Sequence, residues 1–151
     1  MNNAVIKKKV MNIIEEVTKG IKDHGACKLF KGGSLETLIQ ELFTPQGVEF
    51  IMKTSYPGLD EFRKIQKMRD LKPYGIYVDS GIIELSEQRK VFLIGNTDAK
   101  LNYQELVDSK VYIIHGAKAY ISASGYSVVK VEKDHNSMVN ISAKNKAVIL
   151  K

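Results

Sequence analysis

The sequence predicts an α+β fold: a helical N-terminal half packs on or caps a short C-terminal parallel β-solenoid with coils of about 19 residues. Three observations carry this. Apolar residues recur at helical spacing as far as Met68, and from Gly75 onward they fall into short alternating runs. Residues 99–151 then repeat themselves, and self-similarity at a fixed period marks a repeat architecture.

In chain order, residues from about Ala4 to Lys22 form the first expected helix, with Ile6, Val10, Ile13, Val17 and Ile21 as its apolar stripe. Gly20 and Gly25 bracket its end. Ser34 is a good N-cap for a second helix whose buried stripe is Leu35, Leu38, Ile39 and Leu42. Thr44-Pro45 opens a third, carrying Val48, Ile51 and Met52 as far as Lys53, because proline fits the first helical turn. Pro57-Gly58 breaks the chain, and Leu59, Phe62, Ile65 and Met68 outline a last helix before Lys72-Pro73. The class changes near Pro73, dividing a helical region, 1–74, from a solenoid-like region, 75–151, with no Gly/Ser-rich tract between them.

Ile76-Tyr-Val, Ile82-Ile-Glu-Leu and Val91-Phe-Leu-Ile read as strands of irregular early coils, bounded by turn clusters. The repeats follow. Ala99-Lys-Leu-Asn-Tyr-Gln, Ala117-Lys-Ala-Tyr-Ile-Ser and Ser137-Met-Val-Asn-Ile-Ser are spaced by 18 and then 20 residues. Val111-Tyr-Ile-Ile, Val128-Val-Lys-Val and Ala147-Val-Ile-Leu are spaced by 17 and then 19. Alternate residues of a strand face opposite sides. In the first set this stacks Leu101, Ala119 and Val139 with Tyr103, Ile121 and Ile141, while Asn102, Tyr120 and Asn140 point away. In the second set it puts Ile113 and Ile149 in the outward phase, where Lys130 stands in the middle copy. Ile113, Lys130, Ile149, Tyr120 and Lys151 are therefore the expected interaction surface. The last strand runs to the C-terminus with no helix after it to cover its edge, and such an edge pairs with other chains unless blunted. Lys144, Lys146 and Lys151 are the residues placed to blunt it.

The 151 residues carry a net charge of +6, with +4 in residues 1–74 and +2 in residues 75–151. That balance bears on solubility and on anion binding, not on fold. No apolar run reaches the roughly 20 residues of a membrane helix, so no membrane partner is expected. The N-terminus lacks a secretory pattern. With a single cysteine, Cys27, no internal disulfide forms, which is compatible with a cytoplasmic location.

Candidate chemistry is sparse, and neither a cofactor nor a metal is expected. His24 and Cys27 are the one place where a base and a nucleophile are close in sequence, but no orienting third group accompanies them. His115 and His135 lie one coil apart, in equivalent corners, without a recognised ligand spacing. Arg63, Lys64, Lys67 and Arg69 offer a basic strip for phosphate contact, diluted by Asp60, Glu61 and Asp70.

The stretch Gly116-Ala-Lys-Ala-Tyr-Ile-Ser-Ala-Ser-Gly-Tyr-Ser-Val-Val resembles the coils of small, mostly uncharacterised bacterial and phage β-solenoid proteins. The resemblance covers about the last third of the chain. It implies a rigid rod, a self-assembly surface or a binding platform, and no catalytic residues. The regular six-residue spacing of hexapeptide-repeat acyltransferases is absent, as are the Gly- and Asp-rich corners of calcium-binding β-rolls.

These readings lead to a non-enzymatic protein-interaction or self-assembly module. The alternatives are a nucleic-acid-associated protein working through the basic helical residues, and a small enzyme centred on His24/Cys27 or His115/His135.

Overall fold

The computed structural model describes residues 3–25 and 33–151. The chain divides into two compact units, Met1–Arg69 and Asp70–Lys151.

Among the described residues the first unit holds four helices, and local chemistry marks the starts of the last three. Helix α1, Asn3–Asp23, buries Ile13, Ile14, Val17 and Ile21, whereas Ile6 near its start is exposed. Only the C-terminal half of the expected stripe is therefore used. Helix α2, Leu35–Leu42, buries Leu35, Leu38, Ile39 and Leu42, and its first turn is capped by Ser34 Oγ, which accepts from Thr37 N–H at 3.1 Å. In helix α3, Pro45–Thr54, Thr44 Oγ1 accepts from Gly47 N–H at 3.1 Å, and Pro45 occupies the first turn, where its missing donor costs nothing. Helix α4, Leu59–Met68, has no side-chain cap, but Asp60 and Glu61 sit in its first turn, where negative charge is favoured. Helix α1 packs on α4 and on α2, and α2 packs on α3. The Phe43 and Phe62 rings meet at 5.9 Å.

The second unit begins with a 3-10 turn, Lys72–Tyr74, closed by Gly75 at φ +77°. Nine strands follow: β1 Ile76–Val78, β2 Gly81–Ser86, β3 Lys90–Ile94, β4 Thr97–Tyr103, β5 Asp108–Ile114, β6 Lys118–Ala123, β7 Val128–Lys133, β8 Met138–Ala143 and β9 Val148–Leu150. They alternate between two sheets, ordered β1-β3-β5-β7-β9 and β2-β4-β6-β8. Every pairing is parallel. This is a β-solenoid of four two-strand coils, with β9 starting the next.

The first rung is offset by 16 residues, as in Ile76↔Phe92 and Gly81↔Thr97. Every later rung is offset by 20, as in Phe92↔Tyr112, Ala99↔Ala119↔Val139 and Val128↔Val148. The repeat is thus more regular than the 17 to 20 residues read from the sequence.

Between the sheets lies one apolar column set, from Val91, Leu93, Ala99 and Leu101 through Val111, Ile113, Ala119 and Ile121 to Val129 and Val131, all buried. In the first sheet the opposite phase is buried as well. Ile76, Phe92 and Tyr112 form one such column, Val78, Ile94 and Ile114 another, and the Phe92 and Tyr112 rings stack at 4.7 Å. The runs Val91-Phe-Leu-Ile and Val111-Tyr-Ile-Ile are apolar on both faces for this reason.

Two register corrections follow. In the β4-β6-β8 series the expected alignment of Ala99 with Ala117 is off by two residues. An even slip leaves every side chain on its own face, so the inward and outward assignments stand. In the β5-β7-β9 series the expected offsets of 17 and 19 are each an odd number of residues from 20, and an odd slip exchanges the faces. Ile113 is accordingly inward and fully buried beside Leu93, and Ile149 is inward beside Val129. Lys130 lies on the other face, in register with Lys110 and Leu150. Ile113 is a core residue and offers no contact surface.

Candidate functional site

Three corners of the solenoid are held by carboxylates that reach across one rung. At His115 the backbone takes the left-handed conformation, φ +57°. The amide of His115 donates to Asp134 Oδ2 at 2.7 Å, and Ser137 Oγ donates to Asp134 Oδ1 at 2.6 Å. Gly116 N–H in turn donates to Ser137 Oγ at 3.2 Å. Asp79 Oδ1 likewise accepts from Asn96 N–H at 2.8 Å, and the Glu87 carboxylate accepts from Gln104 and Glu105 N–H at 2.6 and 3.3 Å. Charge-assisted bonds of this kind are stronger than neutral ones. They hold the rungs in register.

His115 and His135 do occupy equivalent corner positions, 20 residues apart. The His115 ring is nearly buried, with Nδ1 3.9 Å from Asp134 Oδ2, while His135 is exposed. The Ser137 hydroxyl donates its hydrogen bond to the Asp134 carboxylate and not to the imidazole. A carboxylate standing between a serine and a histidine is a turn lock, not a nucleophile–base pair. His24 is exposed, stacks on Tyr56 at 4.6 Å and bonds through Nδ1 to Gly20 O at 2.7 Å. Cys27 lies outside the described residues. Among the described residues no group of three His, Cys, Asp or Glu side chains is placed to hold a metal ion, and no helix is long and apolar enough to cross a membrane.

The basic helical strip is partly engaged. Lys64 Nζ lies 2.8 Å from Glu16 Oε1, and the bond to this carboxylate raises the ammonium above the usual lysine range. Arg63 Nη1 lies 3.9 Å from Asp60 Oδ1, and Lys67 is exposed on the same helical face. Arg69 follows the last residue of α4 in extended backbone.

A different basic feature emerges from the strand register. Lys90, Lys110 and Lys130 stand in one outward column, on neighbouring strands. Burial and the neighbouring Lys110 hold the Lys90 ammonium below the usual lysine range. Lys130 is 3.1 Å from Glu132 Oε1. This column was hidden in the sequence by the same odd slip that misplaced Ile113.

The most distinctive surface is the free edge of the last coil. In the inner coils Ala119, Ile121, Ala123 and Val129 are buried. Their in-register successors Val139, Ile141 and Ile149 are only half-buried, and Ala143 is exposed. Met138 N–H donates to Ala117 O and Lys144 N–H to Ala123 O, so by alternation Val139, Ile141 and Ala143 turn their backbone groups toward the free edge. Tyr120 and Lys151 are exposed, with Tyr120 on the outward face of the four-stranded sheet.

No protein-family profile, no curated protein and no solved structure matches this chain.

Proposed function

We propose that this chain is a non-enzymatic interaction and self-assembly module, and that its contact surface is the free edge formed by β8 and β9. The observation that carries this is the loss of burial along continuous columns. Ile121 and Val129 are wholly covered by the next rung, whereas Ile141 and Ile149 present the same face to solvent. An edge with apolar inward residues and unpaired backbone groups is a template for another strand. This reading places the chain beside the small bacterial and phage solenoid proteins that its repeats resemble, and the single cysteine fits a cytoplasmic location. Light scattering across a wide concentration range tests it. Association that grows with concentration supports the reading, and a monomer throughout removes it.

A second reading, association with nucleic acid, is favoured by the Lys90–Lys110–Lys130 column. Like charges on directly opposed residues destabilise a sheet, and a phosphate backbone laid along the column would offset this repulsion. Within the chain the Phe92 ring lies under Lys90 and Glu132 beside Lys130. Changing all three lysines to glutamine would abolish salt-sensitive retention on a single-stranded DNA column under this reading, and unchanged retention would exclude it.

A further inference from the structure

Resting on the self-assembly reading, we infer that the occupant of the free edge is the first coil of a second copy, stacked head to tail so that the four-stranded sheet continues from β8 into β2 of the next molecule.

The columns of this sheet are what argue for it. Each runs through four rungs: Ile82, Asp98, Lys118, Met138; then Ile83, Ala99, Ala119, Val139; then Glu84, Lys100, Tyr120, Asn140; then Leu85, Leu101, Ile121, Ile141. Adding a second copy in the same frame sets Ile82 beside Met138, Ile83 beside Val139, Glu84 beside Asn140 and Leu85 beside Ile141. Apolar meets apolar and polar meets polar at every position. Ile82 and Met138 are 92% and 59% exposed, although both lie on strands of a regular sheet, and they are the two ends of one column. Ile83 and Leu85 are half-buried at one end, as Val139 and Ile141 are at the other.

The backbone agrees. Gly81 and Glu87 N–H donate to Asn96 and Asn102 O, toward β4, so the groups of Ile82, Glu84 and Ser86 face the open side of β2. Charge agrees in part. Residues 75–88 contain Asp79, Glu84 and Glu87 and no Lys or Arg, with Arg89 and Lys90 directly after them, while residues 138–151 contain Lys144, Lys146 and Lys151 and no Asp or Glu. A tail-to-tail pair would instead crowd the three lysines of each copy together. The five-stranded sheet lacks this match, since β9 falls in the columns of Asp108–Lys110 and β1 in those of Phe92–Ile94. The junction therefore belongs to β2 and β8. A heterologous contact of this type does not close on itself, and it generates an open series of oligomers.

Blocked edges give the test. Proline is tolerated where the amide faces outward on an edge strand, so Glu84→Pro blocks one end and Val139→Pro the other. Head-to-tail stacking predicts that the unmodified protein forms a growing series. Each variant alone is then a monomer, and a mixture of the two gives a 1:1 dimer that grows no further. A dimer formed by Glu84→Pro alone overturns the head-to-tail arrangement and leaves self-assembly standing, whereas a monomeric unmodified protein overturns both. Ile82→Lys and Met138→Lys change exposed side chains only, and they repeat the mixing experiment if either proline variant loses its strand circular dichroism. The charge pattern adds a second readout. Lys144→Glu with Lys146→Glu would weaken association by tenfold or more, and added salt would weaken the unmodified contact; association indifferent to both contradicts the proposed pairing.

Discussion

Asp134 of one rung accepts the backbone N–H of His115 in the rung before it, at 2.7 Å, and the carboxylate is buried. Its second oxygen is satisfied by Ser137 Oγ. Asp134→Ala leaves the His115 amide without its acceptor, at a cost of about 2–3 kcal/mol, since bonds to charged groups are worth more than neutral ones. Asp134→Asn keeps one acceptor and should cost less. Urea midpoints of the two variants provide the check, and equal midpoints would show that the carboxylate is not what holds this corner.

Ile113 and Lys130 separate the two alignments of the later strands. With Ile113 inward, Ile113→Ala creates a cavity costing about 2–5 kcal/mol. Lys130→Ala, on the other face, should stay within about 0.5 kcal/mol. The opposite order in thermal melts would overturn the 20-residue register.

Gly20 gives helix α1 close contact with a neighbouring ring, because a Cβ there would overlap the Tyr56 hydroxyl and ring. Gly20→Ala should therefore destabilise by about 1–3 kcal/mol despite alanine's better helix propensity. In the Tyr56→Ala background the same change should become neutral or stabilising. A double-mutant cycle with no coupling would contradict the contact.

Burial, followed by Glu61, Glu16 and Asp23 nearby, pushes the Tyr56 phenol up to about 12 from its ordinary 10.0. Burial, then Glu87, raises Tyr103, whose hydroxyl donates to Gln88 O at 2.9 Å. A folded-state value above the unfolded one means that the contribution is fully present below pH 10 and is lost as pH rises from there through the folded values. Stability should thus be flat in this respect up to about pH 10 and fall beyond it. Ultraviolet titration of the phenolates, compared with Tyr56→Phe, isolates the component near 12.

What could be read from the sequence depended on whether a pattern tolerates small misalignment. The α2 stripe Leu35, Leu38, Ile39 and Leu42, with Ser34 as its cap, was legible because spacing and capping residue agree. The β4-β6-β8 faces survived a two-residue error because strands have period two. The β5-β7-β9 faces did not, since β5 begins at polar Asp108 and not at the apolar run starting at Val111. Val111-Tyr-Ile-Ile can be laid on Val128-Val-Lys-Val with good apolar agreement in the wrong frame. The corner carboxylates were hidden for a different reason. An Asp in a turn looks solvated until the rung it reaches is known.

The free edge of β8 and β9 also sets how the second unit comes apart. Each strand is zipped only to its immediate neighbours, so fraying starts where one side is missing and travels inward one layer at a time. Amide protons of Val148 and Met138, which bond the last strands to the rung before them, should exchange with deuterium before those of Val128 and Lys110, and a capped end would slow that unravelling without touching a single interior bond.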